Sequence, residues 1–188
     1  NWLFRWRSYL PVALLCLLIA ILKDFTYPAH SERIDAIWEV VCVGVSLVGI
    51  AVRVLTIGHA APGTSGTNTT RQVADTLNTT GMYSIVRHPL YLGNLIIWFG
   101  ISLFVHRWWV TALVLLVFWL YYERIMLAEE EFLSCKFGEA YAVWASRTPA
   151  FLPDPRKWQP PALPFSWRKA FKNEYKTVGG MIGVFCVL

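Results

Sequence analysis

The stretch Gly81–Val105 reads GMYSIVRHPLYLGNLIIWFGISLFV. Arg87, His88 and Pro89 stand together at the mouth of a long apolar run. Charged and helix-breaking residues beside such a run cost free energy, so they mark either a helix boundary or a chemical site. Proline fits the first turn of a helix, where its missing N–H has no partner to lose. Pro89 is therefore expected to start a helix and to leave backbone groups of the preceding residues free.

Working outward, four apolar runs emerge: 9–22, 37–58, 89–105 and 108–128. A spanning helix needs about 20 mostly apolar residues. The second and fourth runs meet that length, and the first and third do so with their aromatic flanks. Polar faces at helical period, the mark of a soluble bundle, are almost missing. Residues 178–188 look like the start of a fifth apolar helix. The chain is 56% hydrophobic and 15% charged, with ten tryptophans and eight tyrosines that suit two water–lipid boundaries. The expected fold is all-α: one domain, 1–188, forming a polytopic membrane helix bundle of four to five spans with a cytoplasmic amphipathic helix. A cleaved signal peptide fits less well, because Lys23-Asp24-Phe25 is no small-residue cleavage site. The four cysteines lie far apart without ligand spacing, so no metal is expected. A net charge of +5 with no basic–aromatic array gives no reason to expect nucleic acid, and suits an anionic lipid surface.

Lysine and arginine set the expected orientation. With a cytoplasmic N-terminus, Lys23, Arg33 and Arg107 fall outside and the other 14 of 17 basic residues inside. The segments 59–88 and 129–177 then share the cytoplasmic face, and the few residues after 105 close a tight hairpin. Arg53, near the inner end of the second run, either snorkels to the interface or meets an anion. Asn94 bonds a neighbouring helix or faces a polar pocket. The loop His59–Gly81, rich in Gly, Thr, Ser and Asn, is a polar linker whose amides, hydroxyls and Arg71 suit an anionic headgroup. It lacks the spacing and lysine of a nucleotide-binding loop.

After the fourth run, Glu130, Leu133, Phe137, Tyr141 and Trp144 recur at helical spacing on one face. Glu130 heads that otherwise apolar face, where a carboxylate is costly unless a cation meets it.

Here the residues carry a resemblance. Gly81, Tyr83, Arg87, His88, Pro89, Tyr91 and Gly93 are followed by a hairpin. Then come Glu129, Glu130, Leu133, Phe137, Gly138, Tyr141, Arg147, Pro149 and Pro153. Order and spacing resemble the isoprenylcysteine carboxyl methyltransferase family, integral-membrane enzymes that use S-adenosylmethionine; this chain looks like a bacterial-type member. The match covers a third of the chain. Trp144 stands where that family often has tyrosine. The resemblance implies a cofactor pocket of Tyr83, Arg87, His88, Pro89, Tyr91, Gly93, Glu129 and Glu130. It also implies Arg147 beside the acceptor, with Arg147 and Glu130 as the catalytic pair. Arg53, Arg71, Asn94, Tyr141 and Trp144 complete the candidates for the acceptor side. The implied reaction is methyl transfer to a lipidic oxyanion, a prenylated cysteine carboxyl or a lipid phosphate, because Arg147 attracts an oxyanion and repels an ammonium. Phospholipid amine methylation, a reductase of the related sterol branch and a non-catalytic scaffold are the alternatives. The oligomeric state stays open.

Overall fold

The computed structural model describes Cys16, residues 32–61, Thr64 and residues 74–187. Apart from Cys16, the first apolar run lies outside the described residues, as do residues 62–63 and 65–73 of the glycine- and threonine-rich loop, Arg71 among them. The described chain is all-α. Its elements are α1 (Glu32–His59), the single turn α2 (Met82–Ile85), α3 (Pro89–Leu103), α4 (Trp108–Phe137), α5 (Glu139–Arg147), a 3₁₀ turn (Pro155–Lys157) and α6 (Trp167–Val187).

Pro89 is the first residue of α3, as its chemistry predicts. The amide before the bend is not left free, however. Arg87 N–H donates to the Pro149 carbonyl at 2.9 Å. α4 runs unbroken for 30 residues, because the apolar run passes straight into the good helix formers Ala128–Glu131. It stops at Gly138, whose φ is +53°. A Cβ at Gly138 would touch nothing within 4 Å, so backbone conformation rather than space calls for glycine there. This break corrects the expected single amphipathic helix. Leu133 and Phe137 end α4, whereas Tyr141 and Trp144 sit on the separate α5.

Small residues let α1 and α3 approach closely. A Cβ on Gly49 would lie 2.6 Å from the Gly93 carbonyl oxygen, and one on Gly100 would lie 2.6 Å from the Cys42 carbonyl oxygen. Ser46 Oγ donates across this seam to the Ile97 carbonyl at 3.2 Å. Close backbone approach of this kind is how helices associate where lipid removes the hydrophobic drive. Ile50, Ile97, Ile101, Val105, Val110, Val114 and Met181 fill the adjoining core. At the far end the chain turns between α3 and α4 with His106 at φ +54°. His106 Nε2 lies 2.9 Å from Asp35 Oδ1, and Trp38 Nε1 donates to the Leu103 carbonyl.

Among the described residues two helices, Glu32–His59 and Trp108–Phe137, are long and apolar enough to cross a membrane, which supports an integral membrane protein. The expectation of four to five spans is corrected accordingly. Pro89–Leu103 is apolar but only 15 residues long, because the turn before Trp108 cuts it short. Residues 178–187 are not the start of a new helix but the second half of α6. That helix begins at Trp167 and carries Arg168, Lys169, Lys172, Glu174 and Lys176 in its first half, so its composition is not that of a span. α6 lies antiparallel along α1. Ser166 N–H donates to Gly58 O, Met181 packs with Ile50, and the Phe185 ring meets Phe104 at 5.7 Å.

The glycine seam makes a test. Gly100→Ala is expected to lower the stability of the detergent-solubilised protein by about 1–3 kcal/mol through overpacking. Gly44→Ala, with nothing within 4 Å of its Cβ, is expected to be neutral or to gain up to ~1 kcal/mol from helix propensity. Thermal unfolding of the two variants checks the contrast; equal melting temperatures would contradict the close approach.

Candidate functional site

The α3 bend and the last third of α4 meet at a cluster of charges. Glu130 Oε2 accepts from Arg87 Nη1 at 3.0 Å, and Glu130 Oε1 lies 2.8 Å from His88 Nε2. Glu129, one residue earlier, accepts from Tyr91 Oη at 2.5 Å. His88 Nδ1 lies 3.9 Å from Glu129 Oε2, so the imidazole stands between two carboxylates. The local sequence produces this. The proline fixes His88 at the helix start, and Tyr91 follows three residues on, one turn along the same side of α3. The carboxylates come from adjacent positions of a helix that Gly138 ends only two turns later.

Backbone contacts with a later segment hold the bend in place. The segment Pro149–Ala162 runs beside residues 80–87. Besides the Arg87–Pro149 bond, Asp154 N–H donates to Ile85 O and Gly81 N–H donates to Gln159 O, both at 3.0 Å. Gln159 N–H donates to Ser84 Oγ and Ala162 N–H to Thr80 Oγ1. Trp144 Nε1 donates to the Tyr83 carbonyl at 3.0 Å, tying α5 to the same bend.

Two buried polar atoms here make no hydrogen bond of good geometry among the described residues, Arg87 Nε and Tyr141 Oη, although the Tyr141 hydroxyl stands close to both Glu130 and Arg87. Tyr141 is only 6% exposed. Burial pushes its phenol above the usual tyrosine range, and the neighbouring Glu130 charge adds to that. Tyr83 shifts in the same direction, from burial first and the Glu129 carboxylate second. Both phenols therefore stay protonated and able to donate at neutral pH. Unsatisfied buried polar atoms are rare and need a reason. A pair of idle donors beside a carboxylate fits a ligand that brings an acceptor to them.

The structure thus brings together Tyr83, Arg87, His88, Tyr91, Glu129, Glu130, Tyr141 and Trp144. Pro89 is buried at the helix start, and Gly93 faces away to α1. Arg147 is exposed at the last residue of α5, with no ion pair among the described residues. Arg53 and Asn94 meet each other. Arg53 Nη1 donates to Asn94 Oδ1 at 2.7 Å, and the rest of the guanidinium forks onto Glu174 of α6. Sequence reasoning missed Glu174. Its signal was the one that exposed Glu130, a carboxylate on an apolar face, here between Ala170 and Met181 at helical spacing. Among the described residues no group of His, Cys, Asp and Glu could hold a metal ion.

Comparison with known proteins gives a family. A family model described as phospholipid methyltransferase matches residues 40–140, over half of the chain. A cobalt-zinc-cadmium resistance protein, CzcN, of Cupriavidus metallidurans is 43% identical over 79 residues, 42% of this chain and 36% of that protein. A nickel-cobalt-cadmium resistance protein, NccN, of Alcaligenes xylosoxydans xylosoxydans is 30% identical over 148 residues, 79% of this chain and 62% of its own. A protein-S-isoprenylcysteine O-methyltransferase of Schizosaccharomyces pombe is 32% identical over 77 residues, 41% of this chain and 33% of its own. The chain therefore spans between 33% and 62% of the length of these curated relatives. No solved structure matches it.

The cluster predicts opposite signs for two substitutions. Glu130→Ala strands Arg87 and His88 and is expected to cost about 1–3 kcal/mol, less than a fully buried pair because the Glu130 side chain is 23% exposed. Tyr141→Phe removes an unsatisfied hydroxyl and is expected to leave the unliganded protein as stable or up to ~1 kcal/mol more so. Denaturation in detergent measures both; a large loss for Tyr141→Phe would show that its hydroxyl is already bonded.

Proposed function

The chain belongs to the phospholipid methyltransferase family, and on that premise we propose that it is an integral-membrane, S-adenosylmethionine-dependent methyltransferase whose acceptor is the amine of a phospholipid. The observation that carries the reading is the pair Glu129 and Glu130, gathered with Arg87 and His88 beside the idle donors Arg87 Nε and Tyr141 Oη. A ligand with a carboxylate and an ammonium on one carbon suits that set. The idle donors match the first group and the carboxylates match the second. When bound, S-adenosylmethionine supplies a methyl group already activated on a sulfonium.

The protein's own tasks are then positioning and proton handling. A phospholipid amine is an ammonium at neutral pH, and its nitrogen must shed a proton before its lone pair can attack. His88, oriented by Glu130, and the Tyr91–Glu129 pair are the groups placed to take that proton. Tyr83 and Trp144 fix the bend that presents His88. We place the site on the cytoplasmic face, with the lipid entering sideways from the inner leaflet.

A second reading, methyl transfer to a carboxylate or phosphate oxygen, has one observation in its favour. Arg147 is an exposed guanidinium without an ion pair among the described residues, close in sequence to the cluster. The likeness to a prenylcysteine O-methyltransferase points the same way. The metal-resistance names of two relatives find no counterpart in a ligand cluster among the described residues.

Calorimetry in detergent should show S-adenosylmethionine binding to the wild type. Glu130→Gln and Tyr141→Phe are expected to weaken it roughly tenfold, the equivalent of ~1.4 kcal/mol each. Absence of binding to the wild type would overturn the reading. Transfer assays with phosphatidylethanolamine, a prenylcysteine and a lipid phosphate separate the acceptors. Amine methylation that survives Arg147→Lys is expected. Transfer only to an oxyanion, abolished by Arg147→Lys, would install the second reading, since an ammonium cannot copy a planar fork.

A further inference from the structure

Glu174 lies on α6, 121 residues from Arg53 in sequence, and is 2% exposed. Its two oxygens accept from Arg53 Nε at 2.8 Å and Nη2 at 2.7 Å, a forked, charge-assisted pair. The third arm of the same guanidinium, Nη1, donates to Asn94 Oδ1 at 2.7 Å and lies 3.4 Å from the Leu90 carbonyl. Leu90 and Asn94 bracket Tyr91, the residue that holds Glu129. Gly93, between them, leaves room for the guanidinium stem, since a Cβ there would come 2.5 Å from Arg53 Cγ. A single cation therefore links α6 to the first turns of α3.

A cation of this kind is a poor stabiliser. Two buried charges lose their hydration, and replacing such a pair with apolar residues of similar volume is often neutral or stabilising. Arg53 is 14% and Glu174 only 3% exposed at the side chain. The arrangement gains something that an apolar contact would not give: a directional grip on one turn of one helix. That turn is the one that carries the site.

We propose that Glu174 is a positioning residue of the methyl-donor site, acting through Arg53 and Asn94 to fix the turn of α3 that presents His88 and Tyr91 to Glu130 and Glu129. This rests on the S-adenosylmethionine reading above. It gives α6 a function beyond packing and withdraws Arg53 and Asn94 from direct contact with the acceptor.

The test is the double replacement Arg53→Met with Glu174→Met in the full chain, which removes the grip while keeping volume and apolar packing. A purely structural pair predicts unchanged S-adenosylmethionine affinity. Positioning predicts a melting temperature close to wild type, S-adenosylmethionine binding weaker by roughly tenfold or more, and faster amide exchange at residues 91–94 without ligand. Lys172→Ala, on the exposed side of α6, is expected to change none of these. Should the double variant fail to fold, Asn94→Ala decides, because it removes the shorter of the two contacts from Arg53 to α3 and leaves the Arg53–Glu174 pair intact. Its affinity and exchange must move in the same direction. A wild type that binds S-adenosylmethionine, with both affinity and exchange unchanged in the variants, overturns the inference. A wild type that binds none overturns the functional reading instead, and exchange in the unliganded variants still reports whether the grip exists.

Discussion

Moving a carboxylate out of water costs several kcal/mol unless a cation or a hydrogen-bond donor meets it. The described chain meets that constraint three times, and each solution joins elements distant in sequence. Glu130 of α4 meets Arg87 and His88 at the α3 bend. Glu174 of α6 meets Arg53 of α1. Asp35 at the start of α1 meets His106 in the turn between α3 and α4. Without these partners each carboxylate would have to face solvent, and the helices that carry them would have to rotate or separate.

The apolar packing is arranged around those pairs. Gly49, Gly93 and Gly100 bring α1 against α3, so Arg53 can reach past α3's first turns to Glu174. Phe118, Tyr122, Ile125, Met126 and Phe151 form a second core under the site, with Tyr91 packed against it. The Phe118 and Tyr122 rings stack at 4.1 Å, and Tyr122 meets Tyr91 at 5.1 Å. The aromatic stack thus reaches from the apolar middle of α4 to the residue that holds Glu129.

The functional reading follows from what this framework leaves unsatisfied. Nearly every polar group at the bend has a partner, including the Arg87 amide that the proline would otherwise have freed. The exceptions, Arg87 Nε and Tyr141 Oη, sit on two different elements and stand beside the same carboxylate. Idle donors held in place by a fully bonded surround are preorganised for a ligand, because no bond must break before one forms.

Much of this was legible in the residues themselves. Pro89 announced the start of α3, the apolar runs announced α1 and α4, and Glu130 on an apolar face announced a cation partner. These are local or periodic signals, and local backbone chemistry and burial dictate them wherever the rest of the chain goes. Other features depended on which helix lies against which. The sequence left Arg53 as a cation that either snorkels or binds an anion; only the docking of α6 along α1 supplied Glu174. Residues 130–144 read as one helical face, since periodicity cannot see the positive φ at Gly138 that splits it. Residues 178–188 read as a fresh apolar helix, because the charged half before them looks soluble until Glu174 is paired. The charge of a side chain is written in the sequence, but its cost is set by the partner that the fold brings within hydrogen-bond distance.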